Sequence, residues 1–212
     1  MFPPWSDKFF RVMVLLLGLG VGYTVVVAAL ATSPLTTTVG YMPTQPVDYS
    51  HAVHAGKLGL DCRYCHNTVE TTAMASIPPT ATCMNCHSMI LPDSEKMIPV
   101  KESFSKRKPI KWVRVHDLPD FVYFNHSIHI NKGVGCVTCH GRVDKMEVVY
   151  QAKPLTMGFC LDCHRNPEKF LRPREFVTKM DYEPEGDQLE LGRRLLKEYN
   201  VKPSTDCWAC HR

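Results

Sequence analysis

The chain has 212 residues, a formal net charge of +4, 16 prolines, ten cysteines and ten histidines. That length allows one or two domains, and a charge so near balance gives no reason to expect a nucleic-acid partner. Beyond the first 31 residues, long periodic apolar stretches are scarce and proline is frequent, which excludes a conventional buried core as the main source of stability.

Val12 to Ala31 is a run of 20 residues without a charge, long enough to cross the hydrocarbon layer of a membrane. Ala29-Leu30-Ala31 has the small residues of a cleavage site, but the apolar run exceeds a signal-peptide core, which favours an uncleaved anchor. Lys8 and Arg11 precede the run and no basic residue closely follows it. The expected layout is a cytoplasmic N-terminus over 1–11, a transmembrane helix over 12–31 and an extracytoplasmic domain over 32–212. Gly18 and Gly22 are spaced for close helix contact in lipid, which fits either a passive single-pass helix or docking on another membrane subunit.

The remainder is organised by a diverged repeat. Its first copy reads Val47-Asp48-Tyr49-Ser50-His51-Ala52-Val53-His54, with Cys62 eight residues further on. A stretch containing Lys96, Lys101, Lys106, Arg107, Lys108 and Lys111 follows and reads as a connector. The second copy is Val122-Tyr123-Phe124-Asn125-His126-Ser127-Ile128-His129, with Cys136 seven residues on. The units span about 47–91 and 121–168, and a tail over 169–212 completes the chain. In the tail, Asp187 to Tyr199 carries an amphipathic pattern with Asp187 as N-cap and Glu190 three residues later, predicting a short packing helix.

All ten cysteines lie in five copies of Cys-x-x-Cys-His: Cys62/Cys65/His66, Cys83/Cys86/His87, Cys136/Cys139/His140, Cys160/Cys163/His164 and Cys207/Cys210/His211. Chance delivers roughly 0.02 copies in a chain of this composition, so the pattern is chemical. It is the spacing for covalent attachment of c-type haem: two thiols add across the porphyrin vinyl groups and the next residue ligates the iron. Structural zinc needs cysteine pairs in fours or with paired histidines, and a disulfide framework does not demand His after every second Cys. Five covalently bound haems therefore supply much of the apolar interior. The expected fold is mostly irregular and α, with short helices, a haem-dominated core and one N-terminal transmembrane helix. The connector's charge suits a solvated loop, or contact with haem propionates or an acidic partner.

Five histidines remain for the second axial position: His51, His54, His116, His126 and His129. The His-x-x-His pair precedes a haem motif in both repeats, following Tyr49-Ser50 in one and Phe124-Asn125 in the other. His116 has no repeat counterpart, and its rival as fifth distal ligand is a methionine, which would raise that haem's potential. Met157, three residues before Cys160, is best placed; Met74 is loosely similar in the first unit. Trp112 and Trp208 suit packing against porphyrin.

The segments from Ser50 to His54 leading to Cys62-Arg63-Tyr64-Cys65-His66, and from Asn125 to His129 leading to Cys136-Val137-Thr138-Cys139-His140, resemble the class III multihaem cytochromes. In that family the first His of His-x-x-His ligates the nearest following haem and the second reaches another. Carried over, the resemblance pairs His51 with His66 and His126 with His140. One iron has a single open axial side once its proximal His is bound, so the second histidines cross elsewhere, His129 to the His164 haem and His54 to the His87 haem. The N-terminal anchor, the five motifs and the segments Trp112-Val113-Arg114-Val115-His116 and Leu155 to Arg165 make the chain similar to the pentahaem cytochrome c subunits of bacterial alternative complex III. That resemblance implies electron transfer in a quinol:acceptor oxidoreductase, with NrfD-like membrane subunits, an iron–sulfur subunit and a mono-haem cytochrome c as partners. No activity is then expected of the chain alone, since one apolar helix offers no base for a quinol's two protons. A stand-alone quinol dehydrogenase is the alternative, although Cys65-His66 is followed by Asn67-Thr68 rather than that class's His-x-Met. A multihaem reductase would need an iron with an open position.

Overall fold

The computed structural model describes residue 3 and residues 5–211. They fall into two units, Met1–Val39 and Gly40–Arg212. The first holds α1 (Trp5–Ala31) and the short α2 (Pro34–Thr37). α1 is 27 residues long, reaches a mean hydropathy of 2.4 over its most apolar window and buries none of its residues, so it is long and apolar enough to cross a membrane. It starts ahead of the charge-free run, at Trp5 rather than Val12. Asp7 sits in its first turn, where the helix dipole favours an acid. Inside the apolar run the Thr24 hydroxyl donates to the Gly20 carbonyl at 2.8 Å, so its one polar side chain apart from Tyr23 is satisfied within the helix.

The second unit has no strands among the described residues, only isolated bridges pairing Val122 with His211 and Val134 with Leu171. Its helices are short: α3 (Cys62–Cys65), α4 (Thr80–His87), α5 (Ile98–Lys106), α6 (His126–Asn131), α7 (Cys136–His140), α8 (Met157–Arg165), α9 (Gln188–Glu198) and α10 (Cys207–Cys210). Elements this short are set by their ends rather than by propagation. Asp61 caps α3 by accepting from the Arg63 amide at 2.8 Å, and Asn125 caps α6 through the Ser127 and Ile128 amides. Thr156 caps α8 through the Phe159 amide. Asp187 caps α9 by accepting from the Glu190 amide at 2.8 Å, the cap expected of that tail helix. Gly141 terminates α7 at φ +67°, a left-handed conformation, and a Cβ there would lie 2.6 Å from that of Ala152.

The repeat is visible in the backbone. His126 and His129 ride on α6, while the first copy carries a π-helical turn over Ala52–Lys57 immediately after His51. The wider turn falls in the copy with one extra residue before its first cysteine, the usual signature of a single inserted residue.

Only eight apolar residues are buried among those described: Val47, Met97, Val100, Ile130, Met146, Leu171, Val177 and Leu195. Val47, Met97 and Val100 cluster with Cys83, Met84, Ile110 and Trp112, which places this small core beneath the second motif. Polypeptide burial on that scale is minor for a unit of this length, in keeping with an interior built around prosthetic groups.

Candidate haem sites

Each Cys-x-x-Cys pair occupies one helical turn, on α3, α4, α7, α8 or α10, so its two thiols emerge on one face with the His directly after. All ten cysteines are free of disulfides. They are not equally enclosed, as an interior lined by every motif would have them. Cys62, Cys65, Cys83, Cys136, Cys139, Cys160, Cys163 and Cys210 are half-buried, whereas Cys86 and Cys207 are exposed. Cys86 departs from the enclosed placement because the small core takes up Cys83 and Met84 and leaves the next two residues of α4, Asn85 and Cys86, at the surface. Cys207 opens α10 at the end of the tail, with Trp208 beside it exposed as well. The second and fifth motifs thus each present one attachment thiol on the outside of the polypeptide, while their spacing to the partner thiol and the following His is unaltered.

Four of the five motif histidines are oriented by a backbone carbonyl facing Nδ1: Ser76 for His66 at 2.8 Å, Ile90 for His87 at 3.0 Å, Ser204 for His164 at 2.6 Å and Phe121 for His211 at 3.2 Å. A carbonyl only accepts, so Nδ1 carries the proton and Nε2 keeps its lone pair for a metal.

The His-x-x-His pairs are held in the same way in both repeats. His54 Nδ1 faces the Ser50 carbonyl at 2.8 Å and His129 Nδ1 faces that of Asn125 at 2.7 Å. Tyr49 stacks on His54 with centroids 4.4 Å apart and meets His51 edge-on at 4.7 Å. Phe124 stacks on His129 at 4.4 Å and meets His126 edge-on at 4.8 Å. One aromatic ring thus wedges two imidazoles apart and fixes both. His126 Nδ1 is bonded outside its own repeat, to the Ala73 carbonyl at 2.9 Å.

Two imidazoles bound through Nε2 to opposite sides of one iron have ring centres about 6.2 Å apart, from two metal–nitrogen bonds of about 2 Å and about 1.1 Å to each ring centre. His54 and His87 lie 6.1 Å apart, His129 and His164 6.2 Å, and His126 and His140 6.4 Å. These are three of the four crossed and direct pairs expected from the sequence. His51, the remaining first-position histidine, lies within electrostatic reach of His66 and His54, and its Nδ1 is buried without a hydrogen-bond partner. His116 meets His140 edge-on at 4.5 Å, too close for a metal between them, and its Nε2 is buried and unpartnered. Thiol pair, following His and facing imidazole together fit an iron porphyrin.

Burial sets the charge state. It pushes His140 down to about 3, helped by His116, His126, His66 and His51. It lowers His51 to about 4, with His66 and His54 adding to the effect. His116 and His129 are lowered for the same first reason. These imidazoles are neutral at neutral pH, the form that ligates a metal.

Met157, at the start of α8, is 67% exposed and Met74 66%. Trp112 packs on the Val47 cluster, while Trp208, between the last two cysteines, is 80% exposed. The double role of Tyr49 and Phe124 was signalled in the sequence only by their matching position before His-x-x-His. The carbonyls of Ala73, Ser76 and Ser204 carry no side-chain signature at all.

A family model described as cytochrome c7 and related cytochrome c matches residues 47–99 and 122–212, leaving out the basic stretch between. The multiheme cytochrome c subunit of menaquinone reductase from Nitratidesulfovibrio vulgaris (strain Hildenborough) is 33% identical over an alignment 143 positions long that takes in 58% of this chain and 68% of that one.

Proposed function

The chain belongs to the family of cytochrome c7 and related cytochromes c, and from that premise we propose that it is a pentahaem electron-transfer subunit of a quinone-linked membrane oxidoreductase of the alternative complex III type. Its haems are covalently bound, as in the family, and the five Cys-x-x-Cys-His motifs are the sites that would hold them. Each haem supplies a one-electron couple whose potential its axial ligands set.

The observation that carries this reading is the set of His–His separations of 6.1, 6.2 and 6.4 Å, which supports paired imidazoles at His87, His164 and His140. His51 is assigned to the His66 site, and His116, with Met157 as its alternative, is left for the fifth. The curated relative is a subunit of menaquinone reductase, which supports a quinone-linked role. α1 serves as an uncleaved anchor, with the haem domain on the extracytoplasmic side and quinol chemistry located in a partner. NrfD-like membrane subunits, an iron–sulfur subunit and a mono-haem cytochrome c are the expected partners.

Mild-detergent purification of the tagged full-length chain, with mass-spectrometric identification of what accompanies it, tests the reading. Co-purification of those subunits, with quinol oxidation by the complex and none by the isolated chain, is the expected result. Robust quinol turnover by the isolated chain would instead establish a stand-alone dehydrogenase.

A further inference from the structure

The five motifs touch one another in an order that is not their order in the sequence. The second motif meets the first: Asn85, inside Cys83–His87, donates to the Tyr64 hydroxyl inside Cys62–His66 at 3.1 Å. His51 and His54 also place the partners of these two sites on one turn. The first motif then meets the third. Cys62 Sγ lies 3.9 Å from the Thr178 carbonyl, and the Cys136 amide donates to the neighbouring Val177 carbonyl at 2.9 Å, so two consecutive residues of the tail hold both motifs together. Asp61 adds a bond from the Thr178 hydroxyl at 2.8 Å.

The third motif meets the fourth through α6, where His126 and His129 face His140 and His164 from positions three residues apart. The fourth meets the fifth: His164 Nδ1 is bonded to the carbonyl of Ser204 at 2.6 Å, three residues before Cys207.

We propose that the five sites form one unbranched series in the spatial order His87, His66, His140, His164, His211. The two repeats are then joined through their first motifs, and the chain's second site, not its first, is one terminus. The exposed thiols, Cys86 and Cys207, belong to the two terminal sites of that series. Sites His87 and His211 become the two places where a partner exchanges electrons, and His66 and His140 the pair that joins the two repeats. The Val177–Thr178 step positions that pair, although it belongs to neither repeat. This inference rests on the pentahaem reading.

The test uses the full-length chain with its partners and reads potentials rather than turnover. The charge on one iron is felt most strongly by its nearest neighbours, because the interaction falls with distance. Deleting the His66 site with C62S/C65S is expected to shift the midpoint potentials of two of the four remaining haems. Deleting the His87 site with C83S/C86S is expected to shift one. Two shifts on losing the His87 site and one on losing the His66 site would overturn the order. Because either variant can fail to fold, the unaltered complex supplies a second readout, the iron positions in a density map. The order predicts that the iron at His66 has those at His87 and His140 as its nearest neighbours. An iron at His87 lying closer to that of His140 overturns it. Fewer than five irons overturns the haem reading beneath it, whereas five irons in another sequence overturns the order alone.

Discussion

At the residue scale, one aromatic ring holds two imidazoles in each repeat. Tyr49 and Phe124 each stack on the second histidine and meet the first edge-on, and a carbonyl four residues back accepts a hydrogen bond from the second. On the proposed assignment, the two Nε2 atoms would serve different irons. Separate His126→Ala and His129→Ala substitutions should each convert one haem from low to high spin, the His140 haem in the first and the His164 haem in the second. Electron paramagnetic resonance of the oxidised protein reads this, and both variants perturbing the same haem would defeat the crossed scheme. The histidines were legible in the sequence because attachment chemistry fixes Cys-x-x-Cys-His and the repeat fixes His-x-x-His. The exposure of Cys86 was not, because all five motifs read alike and only packing against the Val47 cluster separates Cys83 from Cys86. The pairing of His126 Nδ1 with the Ala73 carbonyl, 53 residues away, was equally hidden, because backbone acceptors leave no trace in residue identity. Nor was the edge-on contact of His116 with His140 foreseeable.

At the element scale, the haem domain is a set of one- to three-turn helices defined by their caps. α9 was legible because Asp187 and Glu190 sit at cap spacing ahead of an apolar face. The four- and five-residue helices of the motifs have no periodicity to read. The π-helical turn over Ala52–Lys57 was visible only as a one-residue difference between the repeats. Asp61 combines several roles: it caps α3, pairs with Arg63 at 2.9 Å and accepts from Thr178 of the tail. Asp61→Ala should cost about 1–2 kcal/mol in thermal or chemical unfolding of the holoprotein, a cap together with a tertiary hydrogen bond. The Arg63 hydrogen bond lowers the Asp61 carboxyl from 3.8 to about 2. A depressed folded-state value means the unfolded chain protonates first as pH falls. The ionised form's contribution is thus complete above about 4 and lost between about 4 and 2. Asp61→Asn, which keeps an acceptor for the cap, should flatten the pH dependence of stability in that window. An unchanged slope would show that the carboxylate is not coupled to folding.

At the scale of the whole molecule, the chain is a scaffold whose own apolar burial is small. Eight buried apolar residues among those described, scattered between the Val47 cluster and the tail, leave most of the interior to be formed by groups attached at the motifs. That much followed from the scarcity of periodic apolar stretches and the abundance of proline. The spatial order of the sites did not follow, because it depends on Val177 and Thr178, which belong to neither repeat and carry no chemistry of their own. Covalent attachment at every motif is the claim on which ligand pairing, site order and proposed function all depend. It is tested most directly by the mass of the denatured full-length chain set beside a pyridine haemochrome assay of the same sample. Five haems per polypeptide in both is the predicted result, and four or fewer in a fully matured preparation would contradict it.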